Sequence, residues 1–179
     1  MTMERRVVSP DGLVVRAGLP RDQPAVLALN DQALPHVNAL SAQQWAWLLA
    51  EADYFRVAEQ HGAIAAFVIA IRQGTSYWSD NYRWFSARYP AFLYLDRIVV
   101  AAGVRQRGIG RAVYGDLVAS ASGRWPRIAL EVNLQPPNPG SITFHERMGF
   151  LRVGERRHSA GEVAMLVREL SASSPPSRE

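Results

Sequence analysis

The sequence predicts one α/β domain built on a mixed, mostly antiparallel sheet flanked by helices. Two observations carry the prediction. Strand-period and helix-period segments follow one another in the order β-α-α-β-β-loop-β-α-β-α-β-β, which is neither an all-parallel nor an all-β pattern. The 179 residues, 48% of them hydrophobic, suffice for one well-buried core without disulfide or metal staples.

Each element has its own signal. Residues 13–17 are a short apolar run, a first strand. Residues 20–34 place Val26, Leu27, Leu29 and Leu34 on an amphipathic helix. Ser41 and Gln44 have capping-box spacing and open a helix bearing Trp45, Leu48 and Leu49. Residues 54–59 and 63–71 flank His61-Gly62 as a hairpin. The polar and aromatic stretch 74–90 holds Tyr77, Trp78, Tyr82, Trp84, Phe85 and Tyr89. It is taken as a loop that serves as a lid or acceptor wall, packs on the sheet, or forms an interface. Residues 92–100 are a strong strand. Ile109, Val113, Leu117 and Ala121 recur every four residues, which gives a helix, and 127–134 is another strand. Asn138-Pro139 opens a helix that Gly149 stops. Residues 150–155 and 162–170 are closing strands. The domain therefore spans 1–170, and the Ser/Pro-rich 171–179 is expected to be a disordered tail.

Composition excludes several chemistries. There is no cysteine, so disulfide scaffolds, thiolate metal sites and cysteine nucleophiles drop out. Lysine is also absent, which removes a Walker lysine, a Schiff base and a lysine general base. The net charge of +4 mildly favours anionic partners. No basic run exceeds two residues, so nucleic acid is not an expected partner. No segment has the length of a membrane helix, and the expected location is cytoplasmic. His36, His61, His145 and His158 lack metal-ligand spacing, and no metal is expected. No Gly-x-Ser-x-Gly elbow supports a hydrolase.

The most informative segment joins the strand Leu95-Asp96-Arg97-Ile98-Val99-Val100 to Arg105-Gln106-Arg107-Gly108-Ile109-Gly110 at a helix entry. Paired glycines let a ligand approach the backbone, and helix-entry amides lack intrahelical partners, so such a corner suits a phosphate. A solvated basic turn is the plainer alternative. In the later helix, Asn138, Ser141 and His145 share one face and Phe144 and Met148 a neighbouring one, as in a helix that lines a cleft or merely meets water.

Residues 105–110 after Asp96-Arg97-Ile98-Val99-Val100 resemble motif A of the GNAT superfamily of acetyltransferases, Q/R-x-x-G-x-G/A. Asn138-Pro139-Gly140-Ser141-Ile142-Thr143-Phe144-His145, running on to Gly149-Phe150, resembles its motif B. Leu130-Glu131-Val132 is similar to the strand between them. The resemblance covers residues 92–150 well and the N-terminal half in element order only. It implies a GNAT-like fold with a splayed central strand pair holding acetyl-CoA as co-substrate. By it, the backbone of Ile98, Val99 and Val100 pairs with the pantetheine arm. Amides from Arg105, Gln106, Arg107, Gly108, Ile109 and Gly110, with Arg111, cradle the pyrophosphate, while Asn138 and Ser141 face the thioester end. A backbone amide at or near Val99 would stabilise the oxyanion.

The implied activity is direct acetyl transfer to a primary amine in a ternary complex, the acceptor being a small molecule or a protein N-terminus. His145 stands where many members have a tyrosine acid; it either takes over that role or only fills space. Glu131 is one candidate base, Asp96 the other, and the alternative for each is an ion pair with a nearby arginine. Asp31, His36 and Asn38 lie where members often build the acceptor pocket, although turn chemistry explains them equally. A non-catalytic acyl-CoA-binding or regulatory domain of the same fold, and an interaction module using the aromatic stretch, are the competing readings. A homodimer is left open.

Overall fold

The structure is a computed structural model that describes residues 7–8, 12–159 and 161–170, with backbone only at 7–8. The tail 171–179 lies outside the described residues. The chain divides into two compact units, Met1–Thr75 with Leu95–Leu117, and Ser76–Tyr94 with Val118–Glu179.

In the first unit β1 (Val7–Val8), β2 (Val14–Ala17), β3 (Ala52–Gln60) and β4 (Ala63–Arg72) pair antiparallel in chain order. Most of β5 (Leu93–Val100) follows beside β4. Ala65 through Ile71 are all buried, which explains why this stretch reads as an unbroken apolar run: β4 is covered on both faces. His61-Gly62 makes the expected two-residue turn between β3 and β4. α1 (Gln23–Gln32) lies on β4, and α2 (Ala42–Glu51) on β3. The predicted capping box is present, with the Gln44 amide N–H donating to Ser41 Oγ and the Ser41 N–H to Gln44 Oε1. Gly18 follows β2, and a Cβ there would stand 2.1 Å from the Phe55 ring, so the chain requires glycine at that contact. Trp45 meets the same ring edge-on at 5.8 Å.

The second unit holds the start of β5, then β6 (Arg127–Gln135), β8 (Gly161–Glu169) and β7 (Leu151–His158) in that order. β5 runs parallel to β6 at Leu93↔Ile128 and Tyr94↔Ala129, and the β6–β8 and β8–β7 ladders are antiparallel. The mixed, mostly antiparallel α/β class is therefore the one expected. α4 (Ile109–Ala121) contributes to both units, and α5 (Pro139–Arg147) lies on β6.

Residues 74–90 depart from the expected loop. They contain a short helix, α3 (Asp80–Ser86), whose Tyr82 N–H donates to the side chain of Ser79. Tyr82 and Phe85, three residues apart, face inward with Tyr77, Phe92 and Tyr94, and all five are buried. The rings meet at 5.4 to 6.1 Å, mostly tilted or edge-on, the geometry that aromatic quadrupoles favour. Most of the aromatic stretch is thus the core of the second unit; Trp78 remains 38% exposed.

Candidate active site

In the first unit β5 ends at Val100 and a single 3-10 turn, Ala102–Val104, leads to Arg105. Gln106 (φ 64°) and Gly108 (φ 81°) then adopt left-handed backbone, which folds the loop back onto the start of α4. The Ala112 N–H donates to the Gly108 carbonyl, so Gly108 precedes the first helical residue. The amides of Ile109, Gly110 and Arg111 therefore have no carbonyl one turn earlier to receive them. No atom lies within 4 Å of where a Gly108 Cβ would sit, and Arg105, Gln106, Arg107, Gly108 and Arg111 are exposed. An open corner with helix-entry amides, on a stretch that carries three exposed arginines, fits a diphosphate. The Arg105 Nε–H reaches back to the Val100 carbonyl at 3.2 Å. Beside it, Leu29, Gln32 and Ala33 of the α1 end join Val99–Ala102 and Arg105 around a shallow open depression. Ile98 and Val100 are half-buried, Val99 buried.

Asp96 is not a free carboxylate. Its Oδ2 accepts from the Arg97 Nε–H at 2.6 Å, and both side chains are 5% exposed. The buried Arg97 guanidinium also donates to Asn30 Oδ1 at 2.8 Å and to the Asn38 carbonyl at 3.1 Å. The Asn30 side-chain amide donates to that same carbonyl at 3.2 Å. β5 thereby pins the segment linking α1 and α2. Asp31 in the last turn of α1, and His36 and Asn38 on that segment, are exposed, and Asn38 takes part in the pinning through its backbone.

In the second unit Glu131 on β6 is half-buried and held from two sides. The Tyr94 hydroxyl donates to its Oε2 at 2.6 Å and the Asn81 side-chain amide to its Oε1 at 2.9 Å. Register explains the first bond. Tyr94 lies opposite Ala129, and Glu131 is two residues farther along the same face of β6. The Asn81 Oδ1 in turn accepts from Arg156 on β7 at 2.9 Å. Asn81, Tyr94 and Arg156 were not singled out in the sequence. The hydrogen-bonded pairs among them and Glu131 are 37 to 75 residues apart, and no local pattern links them.

In α5, Asn138 is the N-cap: its side chain accepts from the Ser141 N–H at 3.3 Å. Ser141 and His145 do share a face, with Ser141 Oγ 3.2 Å from His145 Nδ1. That Nδ1 also lies 2.7 Å from the Ser141 carbonyl, which can only accept, so the ring carries its proton there. His145 is 4% exposed and sits edge-on to Phe144 and Phe150. Burial, opposed in part by the bond to Ser141, lowers its pKa to about 4, so it is neutral at physiological pH. Asn138 and His145 are accounted for by helix capping and core packing.

Among the described residues, no group of three or more His, Asp or Glu is arranged to hold a metal ion. Nor is any helix there long and apolar enough to cross a membrane.

Similar proteins supply the remaining finding. No curated protein matches the chain in sequence. Among solved structures, the ribosomal-protein-S18-alanine N-acetyltransferase from Escherichia coli superposes with TM-score 0.70 at 19% identity, over 93% of this chain and 99% of that one. Chaetomium thermophilum Naa20, solved with a bisubstrate analogue, gives TM-score 0.70 at 22% identity, over 87% and 86%. Arabidopsis thaliana Naa50, solved with the bisubstrate analogue CoA-Ac-MVNAL, gives 0.68 at 13% identity, over 88% and 98%. These likenesses concern the fold. The family model of the acetyltransferase (GNAT) family matches residues 25–150, most of the chain and both segments singled out above, and the chain belongs to that family.

Proposed function

We propose that this protein transfers an acetyl group from acetyl-CoA to a primary amine by direct attack, with no acyl-enzyme. The observation that carries the reading is the corner at Gly108: left-handed backbone, open space and undirected helix-entry amides, in a chain of this family. Amides from Arg105 to Arg111 would hold the pyrophosphate, and the backbone of Ile98–Val100 the pantetheine arm. Acetyl-CoA supplies an activated thioester when bound.

An ammonium has no lone pair to attack with, so a base must first take a proton. Glu131 is the better-supported base, because Asp96 is committed to Arg97. The Glu131 carboxylate would accept the proton from the acceptor nitrogen. That nitrogen attacks the carbonyl carbon, the carbon–sulfur bond breaks and the thiolate leaves; the second proton, shed by the nitrogen as it becomes an amide, passes through solvent to the thiolate. An acceptor pocket at Asp31, His36 and Asn38 is part of the proposal; the exposure of all three, with Asn38 held through its carbonyl, supports it. His145 stays out of the chemistry, its proton held by Ser141.

One observation favours the competing reading of a binder without turnover: the residue where many family members have a tyrosine acid is here a buried, neutral imidazole. Two measurements decide. Thiol release from acetyl-CoA is followed across a panel of spermidine, benzylamine, free amino acids and short peptides, alongside thermal shift with CoA. The reading expects turnover with at least one amine and, at a hundredfold excess of CoA over Kd, about 2.7 kcal/mol of added stability. Gly108→Val, which cannot hold the left-handed backbone without strain, removes the CoA shift. Stabilisation without any thiol release makes the protein a binder, and no stabilisation at all sinks both readings.

A further inference from the structure

We propose that Asn81, fixed in orientation by Arg156, is the positioning residue that sets the rotamer and charge state of Glu131. The inference rests on the reading of Glu131 as the base. β4 and β5 are joined by residues 73–92, long enough to hold α3, and Asn81 is the second residue of that helix. An amide is ambiguous as a partner: its oxygen accepts and its nitrogen donates, and rotation about the last bond exchanges them. Here the exchange is blocked. The Arg156 Nη1–H can only donate, and it takes the Asn81 oxygen at 2.9 Å. The amide nitrogen is left facing Glu131 Oε1, also at 2.9 Å. Arg156 is held in its turn by Asp80 Oδ2 at 3.1 Å. A line of directed bonds thus runs from β7 through α3 to β6.

The consequence is chemical. A carboxylate that receives one bond from Asn81 and one from Tyr94 is confined to a single rotamer and favoured in its ionised form, the form that accepts a proton. A base confined in this way meets the acceptor nitrogen in one geometry, and misplacement on the scale of an ångström costs on the order of a hundredfold in rate. On β8 the cross-strand neighbour of Glu131 is the apolar Met165. On α3, Asp80 is engaged by Arg156 and Arg83, which keep its carboxyl below the usual range. On α5, His145 is uncharged above about pH 4. On β7, Arg156 reaches Glu131 through Asn81.

The test reads the carboxyl directly. Carbon-13 glutamate labelling, with Glu131→Gln assigning the resonance, gives the titration midpoint of Glu131 in the wild type and in Asn81→Asp, Asn81→Leu and Arg156→Gln. Asn81→Asp keeps the shape but sets a carboxylate against a carboxylate, and the Glu131 midpoint rises by about one unit or more. Arg156→Gln, which frees the amide to rotate, moves it in the same direction by less. With the fastest amine of the panel, Asn81→Leu lowers kcat on the order of tenfold while KM for acetyl-CoA stays put. A Glu131 midpoint that does not move in Asn81→Asp overturns the proposal, whatever the activity. A midpoint that moves while Glu131→Gln still turns over at the wild-type rate overturns the assignment of the base instead, and the positioning role in catalysis with it. Near-native circular dichroism of the isosteric Asn81→Asp separates either result from misfolding.

Discussion

His145 shows how a single side chain changes meaning between sequence and structure. Its place in the motif suggests a proton donor, with mere space-filling as the alternative. In the structure the ring is buried, its Nδ1–H bonded to the Ser141 carbonyl and Phe144 and Phe150 at right angles to it. His145→Phe keeps a flat ring, somewhat larger, and loses that bond. It is expected to cost about 1 kcal/mol of stability and to leave kcat within a few-fold of wild type. A tenfold fall in kcat in a folded His145→Phe would put the ring back into the chemistry. Glu131 and Asp96 make the same point in reverse. Both are strand carboxylates in sequence, and only the partners separate them: a neighbouring arginine claims Asp96, while two uncharged donors hold Glu131.

At the scale of elements, what the sequence disclosed follows a physical rule: local signals were legible and assembled ones were not. The Ser41 capping box, the His61-Gly62 turn, the Asn138-Pro139 helix start and the glycine corner at 108 all depend on residues within a few positions of one another. α3 was missed because tyrosine, tryptophan, phenylalanine and asparagine are indifferent helix formers. Its helical state comes from burying Tyr82 and Phe85 and from the cap at Ser79, a tertiary gain that propensity does not register. The Glu131 network was invisible for the same reason, since it exists only after α3, β5, β6 and β7 have come together. The cap offers a test. Ser79→Ala is expected to lower stability by about 1 kcal/mol in denaturant titration. Because α3 carries Asn81, it is also expected to reduce kcat more than KM for acetyl-CoA.

For the whole molecule, acid is the revealing stress. The unfolded chain protonates a histidine near pH 6.5, whereas folded His145 holds out to about 4. Across that interval the unfolded state binds more protons, so stability falls as pH falls, by up to about 3 kcal/mol. Asp22 acts lower. Bonds from the Arg16 guanidinium at 2.7 and 2.9 Å, aided by the Leu19 amide, hold its carboxyl below the usual range. Its contribution is complete above the ordinary carboxylate range and is lost below it. Denaturant midpoints from pH 8 to 3 should therefore decline between about 6.5 and 4 as His145 is penalised, and go on falling below the ordinary carboxylate range as Asp22 is protonated. His145→Phe flattens the upper limb alone, and Asp22→Asn the lower.

The contact between Gly18 and Phe55 has a consequence for how this chain tolerates change. The space for even one methyl is already taken by the ring, and the Gly18 amide is bonded to the Phe55 carbonyl at 3.0 Å. In a saturation library selected for folding, position 18 should admit almost nothing, while Gly103, Gly115 and Gly140, with no atom within 4 Å of an added Cβ, accept alanine freely. A larger residue at 18 should survive only alongside a shrunken one at 55, a paired dependence that makes these two positions drift together or not at all.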